Sequence, residues 1–454
     1  MFDTTASRRS FLMTLGRAGL VGAAAPAIVP RYVLGGSGVR APSDTINVAG
    51  IGVGGMGRVN LRNMQDVNVV ALCDVDWDFA ADVFETYPNA ARYQDYRRMF
   101  DEMGDQIDGV VIATPDHTHA VITLTAMESG MHVYTQKPLT WSVWEARQLE
   151  LAAGRYDVVT QMGNQGRSED VTRLIAEHVE AGTIGTVAEA HVWTNRPIWP
   201  QGMEMPSVLK RTPDTLNWDV FLGPAKEIAY DPAFHPFVWR GWVPFGCGAL
   251  GDIAAHSFAY VATALDLPAP ATVETRSSAF NGDAFPVAST TRYEFPASGE
   301  RGPVTMFWYD GGLKPPRPQG LADDEWLDAS GMMYVGSTGI LLHMDGLQLI
   351  RDGQKEELPD VPQRFDRIEG ESHENNWLRA VRGEEEATSP FSFAAPLTET
   401  VLLGVVSMKA GNRKLHWDSG NLRVTNLPEA NQYLRREARD GWELPGVTVV
   451  AGSG

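Results

Sequence analysis

The sequence predicts an α/β protein with two domains. A parallel sheet covered by helices on both faces comes first, followed by an α/β domain with a large, mostly antiparallel open sheet. Three observations carry this prediction. Residues 45–57, TINVAGIGVGGMG, run from an apolar strand into a glycine-rich turn. From there to about residue 164, strand and helix patterns alternate, which marks a doubly wound parallel sheet. Beyond it, segments that read as strands follow one another with little helix between them.

The elements follow in order. Ile46, Val48, Ala49 and Ile51 supply the apolar run of the first strand. A helix follows Gly57, and residues 67–72 (VNVVAL) form the second strand, ending just before Asp74. Helices are expected over 77–86 and 95–103, with a buried strand over 108–114 (DGVVIAT). A helix over 118–129, a strand over 132–136, a helix over 142–153 and a strand over 157–162 complete the first domain. A helix over 168–181 leads into the strand 187–193, and further strands are expected over 271–278, 290–295, 304–308 and 331–336. The resulting domains are 45–164 and 165–454, preceded by a linker over 31–44 and a leader over 1–30.

The glycine turn has a specific chemistry. Gly52, Gly54 and Gly57 stand at G-x-G-x-x-G spacing. The first permits the tight turn, and the second lets backbone approach a pyrophosphate. The third lets the next helix pack closely, with its N-terminus toward the phosphates. Asp74 stands about 20 residues on, where an acid meets the adenosine ribose hydroxyls. Gly52, Gly54, Gly55, Met56, Gly57 and Asp74 are therefore candidate contacts of a dinucleotide in a Rossmann domain. An acid at that position favours NAD over NADP, whose 2′-phosphate it would repel.

Composition narrows the function classes. A formal net charge of -19 argues against nucleic acid and anionic membrane surfaces as partners. Cys73 and Cys247, the two cysteines, form neither a disulfide framework nor a metal-ligand pattern. At the N-terminus, Ser7-Arg8-Arg9-Ser10-Phe11-Leu12 resembles a twin-arginine export signal. A mildly apolar stretch follows, with Ala25-Pro26-Ala27 suited to cleavage. It is short and rich in glycine and alanine for a membrane span, and no other segment reads as one. The expected destination is the periplasm or the exterior, reached already folded through the twin-arginine machinery.

Three further loops carry chemistry. Residues 113–119 (ATPDHTH) close a buried strand beside the cofactor, making Thr114, Pro115 and His117 candidate contacts. His117-x-His119 has no third ligand at recognisable spacing, so no metal site is expected. Gln136-Lys137-Pro138 ends the next strand, placing Gln136 and Lys137 near the nicotinamide end. Asp252 and His256 stand at i, i+4 on one helix face, where an acid can orient an imidazole for acid–base work. Seven of the 13 tryptophans lie between Trp193 and Trp326. An aromatic core and a sugar-stacking site explain them equally well.

In order, these motifs resemble the Gfo/Idh/MocA oxidoreductase family over essentially the whole chain after the leader. The family's Glu-Lys-Pro stands here as Gln136-Lys137-Pro138, keeping the lysine and losing the acid. Its Asp-x-x-x-His stands as Asp252 to His256. The segments 216–223 (LNWDVFLG), Trp239-Arg240-Gly241-Trp242, Trp308-Tyr309-Asp310-Gly311-Gly312 and 422–428 (LRVTNLP) are similar to the family's exported branch. The resemblance implies an NAD- or NADP-dependent reaction at a hydroxyl of a sugar, polyol or glycoside, and a homo-oligomer formed through the C-terminal sheet. It implies that Lys137 bridges hydroxyl and cofactor, that His256 takes the hydroxyl proton, and that Asp252 orients His256. Arg240, Trp242 and Tyr309 are the candidate substrate contacts.

Two other functions are weighed. One is a hydrolase resembling glycoside hydrolase family 109, which oxidises, eliminates and re-reduces on bound NAD. The other is a non-catalytic sugar-binding protein, which the intact Lys137, Asp252 and His256 count against. An exported enzyme meets little free NAD(H), so the cofactor is expected to be retained and recycled on the protein.

Overall fold

The computed structural model describes residues 45–208, 210–299 and 301–446. The expected leader and linker lie outside them. From Ile46 onward the described residues form one compact unit.

The first layer is a six-stranded parallel sheet. Its strands are β1 (Ile46–Ile51), β2 (Val67–Cys73), β3 (Ala91–Tyr93), β4 (Gly109–Ile112), β5 (His132–Gln136) and β6 (Thr160–Gly163). The order β3-β2-β1-β4-β5-β6 is that of a Rossmann sheet. Helices α1 (Arg58–Asn63), α2 (Ala81–Thr86), α3 (Tyr96–Met103), α4 (Asp116–Glu128) and α5 (Val143–Tyr156) make the crossovers. Local chemistry sets their ends. Asp95 caps α3 by accepting from the Arg97 N–H. Ser142 and Glu145 close a capping box at α5. The helix expected over 77–86 starts only at Ala81. Ahead of it the chain turns on Asp76, which accepts from the Asp78 N–H at 3.1 Å, while Trp77 N–H bonds Thr215 O at 3.2 Å.

After α6 (Asp170–Glu180) the chain enters β7 (Val187–Trp193), the middle of a ten-stranded sheet. Short α7 (Trp218–Leu222) and long α8 (Gly248–Leu265) precede β8 (Thr272–Ser277), β9 (Ser289–Phe295), β10 (Val304–Tyr309) and β11 (Gly331–Gly336). Three strands not expected from the pattern extend one edge: β12 (Ile340–Met344), β13 (Gly346–Arg351) and β14 (Gln354–Glu356). Helices α9 (His373–Val381) and α10 (Phe391–Lys409) follow, then β15 (Leu415–Asp418) and β16 (Arg423–Val424) at the other edge. The sheet runs β14-β13-β12-β11-β7-β10-β9-β8-β15-β16, and its β7–β10 pair is parallel while the others are antiparallel.

The late helices return to the first sheet. Trp377 and Leu378 of α9 are buried with Val48, Leu72 and Val111. A Cβ on Gly109 of β4 would stand 2.9 Å from the Trp377 ring, so a bare backbone lets α9 seat there. Helix α10 corrects the expectation that no later segment reads as a membrane span. Its 19 residues, with a mean hydropathy of 1.5, are long and apolar enough by length and composition. Most of it is buried in the interior, packed on α5, α8 and β8. A helix that is apolar all round and enclosed by protein is a core helix.

Candidate active site

The cleft begins where β1 turns into α1. Gly52 has φ +78°, and a Cβ there would lie 2.7 Å from the Ala113 carbonyl. Only glycine serves at this crossing of two strand ends. Asp74, at the end of β2, is held by two backbone donors. Gly54 N–H gives to its Oδ2 at 2.8 Å and Asp76 N–H to its Oδ1 at 3.0 Å. Burial raises the Asp74 carboxyl above its ordinary value against those two N–H groups. The side chain is thus fixed at the tip of the glycine turn, where an adenosine ribose sits in this fold.

From there a cleft of about 450 Å³ runs past the ends of β4 and β5. Gly52, Gly55, Met56, Asp74, Thr114, Pro115, Gln136, Lys137, Arg240 and His256, all expected there, line it. Its size lies within the range of small-molecule sites. With the glycine turn at one end and a fixed ribose acceptor beside it, the cleft fits a dinucleotide.

Its other end gathers charge. Lys137 Nζ donates to Asp252 Oδ1 at 2.8 Å, and Arg240 Nε donates to the same oxygen at 3.2 Å. Burial would raise Asp252, but Lys137 and Arg240 outweigh it and hold the carboxyl at about 2. The Arg240 guanidinium packs over Trp239 at 4.2 Å and Phe237 at 4.6 Å, which fixes its direction. His256, one turn along α8 from Asp252, also lines the cleft. Burial and then the Lys137 charge push its imidazole down to about 3, against the pull of Asp252, so the ring is neutral. A neutral imidazole beside a fixed ammonium and guanidinium can accept a hydroxyl proton while the cations stabilise developing alkoxide charge.

Gln136, standing where a carboxylate is usual, donates to Asn60 Oδ1 at 3.0 Å, and Asn60 donates to Glu374 Oε1 at 2.7 Å. The acid missing at Gln136 is met two hydrogen bonds away, on α9.

Other expected residues stand elsewhere. His117 is fully buried, with ring nitrogens against Phe221 O at 2.7 Å and Phe245 O at 3.2 Å, so it braces two loops instead of lining the cleft. His119 does the same between Pro138 O and Thr114 O, each at 2.8 Å, and so steadies the backbone beside Lys137. Trp242 is buried in an aromatic cluster and donates to Ala233 O at 2.7 Å. Tyr309 lies on β10, bonded to His191 Nδ1 at 3.1 Å, and does not line the cleft.

The structure also adds residues that motif reading passed over. Asp116, His235 and Trp442 line the cleft. His235 Nε2 meets Asp76 Oδ2 at 2.9 Å, two residues beyond Asp74. Trp442 comes from the C-terminal segment and packs near Tyr96, with the Arg97 guanidinium over it at 4.2 Å. Asp116 lay within the ATPDHTH motif, and an acid in a strand-end loop was the available signal. His235 and Trp442 stand outside every motif, and only the fold brings them in.

Comparison with known proteins bears on this cleft directly. Residues 46–164 match the GFO_IDH_MocA model, described as an oxidoreductase family with an NAD-binding Rossmann fold. The chain is 31% identical over 189 residues to an inositol 2-dehydrogenase of Saccharopolyspora erythraea, a match covering 38% of this chain and 53% of the relative. It is 30% identical over 202 residues to a glycosyl hydrolase family 109 protein of Shewanella pealeana, covering 39% of this chain and 44% of that one. The chain thus spans about half the length of these curated relatives. Among solved structures it is similar to the WlbA dehydrogenase of Bordetella pertussis, a complex with NADH and UDP-GlcNAcA. The TM-score is 0.59 at 14% identity, over 82% of this chain and 99% of that one. It is also similar to an inositol dehydrogenase homologue of Azotobacter vinelandii, complexed with NADH and myo-inositol. There the TM-score is 0.55 at 16% identity, over 82% and 98%. These two likenesses are of fold.

With Asp74 in this place, NAD should bind at least about 100-fold more tightly than NADP, because a like charge facing a fixed carboxylate costs several kcal/mol. Asp74→Ser should narrow that gap. Dissociation constants of both nucleotides on nucleotide-free protein test this, and equal or tighter NADP binding overturns it.

Proposed function

We propose that the protein is an exported NAD-dependent oxidoreductase acting on a hydroxyl of a sugar, polyol or glycoside, with its cofactor retained and recycled. The observation that carries the reading is the meeting of Lys137, Arg240 and Asp252 beside His256 in the cleft that begins at the glycine turn. Bound NAD supplies the hydride acceptor. Lys137 and Arg240 hold the substrate oxygen as negative charge grows on it, and His256 takes its proton. Asp252 keeps both cations in place.

The substrate class rests on the similarity to inositol dehydrogenases and on the fit of a cation-rich cleft to hydroxyls. The similarity to a glycosyl hydrolase family 109 protein supports a second reading, a redox-neutral glycosidase that oxidises, eliminates and re-reduces. Export rests on Arg8-Arg9 and the apolar stretch after it. Retention follows from export, because a pool of free NAD(H) is expected inside the cytoplasm and not outside it.

One experiment separates the readings. The purified protein is given myo-inositol and a panel of aryl glycosides, and both NADH and free aglycone are followed. Reduction of NAD by a sugar or polyol supports the oxidoreductase, and aglycone release without net NADH supports the glycosidase. Neither product from any compound, with NAD bound, would return the protein to a sugar-binding role.

A further inference from the structure

Asp116 is a buried acid that the reaction as described does not use. It opens α4, and the carboxyl is 1% exposed. Its Oδ2 accepts the Cys247 N–H at 3.0 Å, which ties α4 to the start of α8. Its Oδ1 is buried and has no hydrogen-bond partner among the described residues. A buried oxygen left this way loses its water without a replacement partner, and such groups in native proteins call for an explanation. Asp116 also lines the cleft with Lys137, Arg240 and His256.

The groups around it are of mixed sign. Asp252 repels its charge, while Lys137 and Arg240 attract it and Cys247 supplies the hydrogen bond. On its own helix His117 and His119 are held neutral by burial. Behind that helix, Arg436 donates to His117 O and Glu145.

We propose that Asp116 is a further acid–base residue of this cleft, the group on which the substrate proton comes to rest. This inference rests on the oxidoreductase reading above. The substrate C–H leaves as hydride to NAD⁺, which is reduced, and the carbon is oxidised as C–O becomes C=O. The O–H bond breaks, His256 makes the first contact with the proton, and the Asp116 carboxylate ends as a carboxylic acid. The reverse sequence returns both hydrogens to a carbonyl.

Two features favour Asp116 over His256 as the resting place. Its free Oδ1 needs either a donor or a proton, and a proton meets that need. Burial and then repulsion from Asp252 raise its carboxyl to about 7, against Lys137 and Arg240, whereas His256 is held at about 3. A group whose own value is near the working pH exchanges protons most usefully. The positive nicotinamide ring of NAD⁺ should favour the carboxylate, and the neutral ring of NADH should not.

Calorimetric titration of protein stripped of nucleotide and refolded, with NAD⁺ and with NADH at pH 7 in two buffers of different ionisation enthalpy, counts the protons released. Wild type should release roughly half a proton per NAD⁺ bound, since an acid titrating near 7 starts half protonated, and close to none with NADH. Asp116→Asn preserves the acceptor for Cys247 and should bind both nucleotides with no such difference. Asp116→Glu should keep it. Should the asparagine variant fail to fold, the wild-type infrared band of a protonated carboxyl should fall on adding NAD⁺ and persist with NADH. Equal release with both nucleotides, or an unchanged difference in Asp116→Asn, overturns the proposal. Failure of either nucleotide to bind would instead sink the oxidoreductase reading beneath it.

Discussion

Lys137→Met and His256→Ala should each lower turnover by a factor of about 10²–10⁴, the usual loss for a positioned acid–base group, while leaving the fold and NAD binding intact. The geometry explains why chemistry and fold should separate. In Lys137→Met the Asp252 carboxylate keeps Arg240 Nε at 3.2 Å, so it is not stranded as a bare buried charge. His256 faces the cleft, and its removal enlarges the cleft instead of opening a sealed core cavity. Turnover of the sugar or polyol accepted by wild type, circular dichroism and NAD affinity form the test. Near-normal turnover in His256→Ala across pH would remove it as the first proton acceptor. Unfolding would make it a structural histidine.

Asp116 and Asp252 carry opposite consequences for stability. The Asp116 carboxyl is raised to about 7 in the fold, so its neutral form favours folding at low pH. That contribution is present below the unfolded value near 4 and is lost as pH rises through about 7. Asp252 is lowered to about 2, so its contribution is present above about 4 and is lost as pH falls toward 2. The pair therefore favours a mildly acidic optimum, with repulsion between them relieved when Asp116 is protonated.

Much of this site was legible in the sequence because its chemistry is local. Gly52 and Asp74 are set by a tight turn and a strand end, which leave a fixed spacing in the chain. Lys137 sits at another strand end, and Asp252 and His256 share one helix face at i, i+4. His117 misled because a histidine in a strand-end loop looks the same in sequence whether it faces a ligand or two carbonyls. Arg240 lines the cleft and Trp242 is buried away from it, because two residues along a short helical turn separate a cleft wall from an aromatic core. The strands β12–β14 and helix α10 leave no clear sequence pattern, for different reasons. The first are short and half-exposed at an edge, and α10 is apolar all round, so it has no periodic face to read. His235 and Trp442 have no local signal at all, since the fold alone brings them to the cleft.

These last residues bear on the retention of cofactor, which should be the largest departure from an ordinary dehydrogenase. Protein purified without added nucleotide and dialysed extensively should still carry NAD near one per chain. A nanomolar dissociation constant corresponds to about -12 kcal/mol, and the cleft has the means to slow release. The loop after Asp74 is stitched to the second half of the chain by Asn217 N–H to Val75 O at 2.8 Å and by Trp77 N–H to Thr215 O at 3.2 Å. His235 clasps Asp76 at 2.9 Å from a segment whose Pro236, Phe237 and Trp239 also line the cleft. Trp442 covers the region near Tyr96, and its strand of chain is anchored by Arg439 Nη1 to Asp219 Oδ1 at 2.6 Å. Nucleotide held behind these ties leaves only when some of them open. Breaking the His235–Asp76 bond costs about 1–3 kcal/mol, and removing the Trp442 ring loses its packing on Tyr96 and Arg97, so His235→Ala and Trp442→Ala should each speed release by about 10- to 100-fold. Mass spectrometry of the dialysed protein and the rate of exchange with labelled NAD measure both effects. A cofactor so held must be reset in place, by a second sugar reduced in exchange or by a redox-neutral cycle. Dialysed protein that is free of nucleotide, works only with continuous added NAD and sheds NADH stoichiometrically would refute retention and leave a simple dehydrogenase.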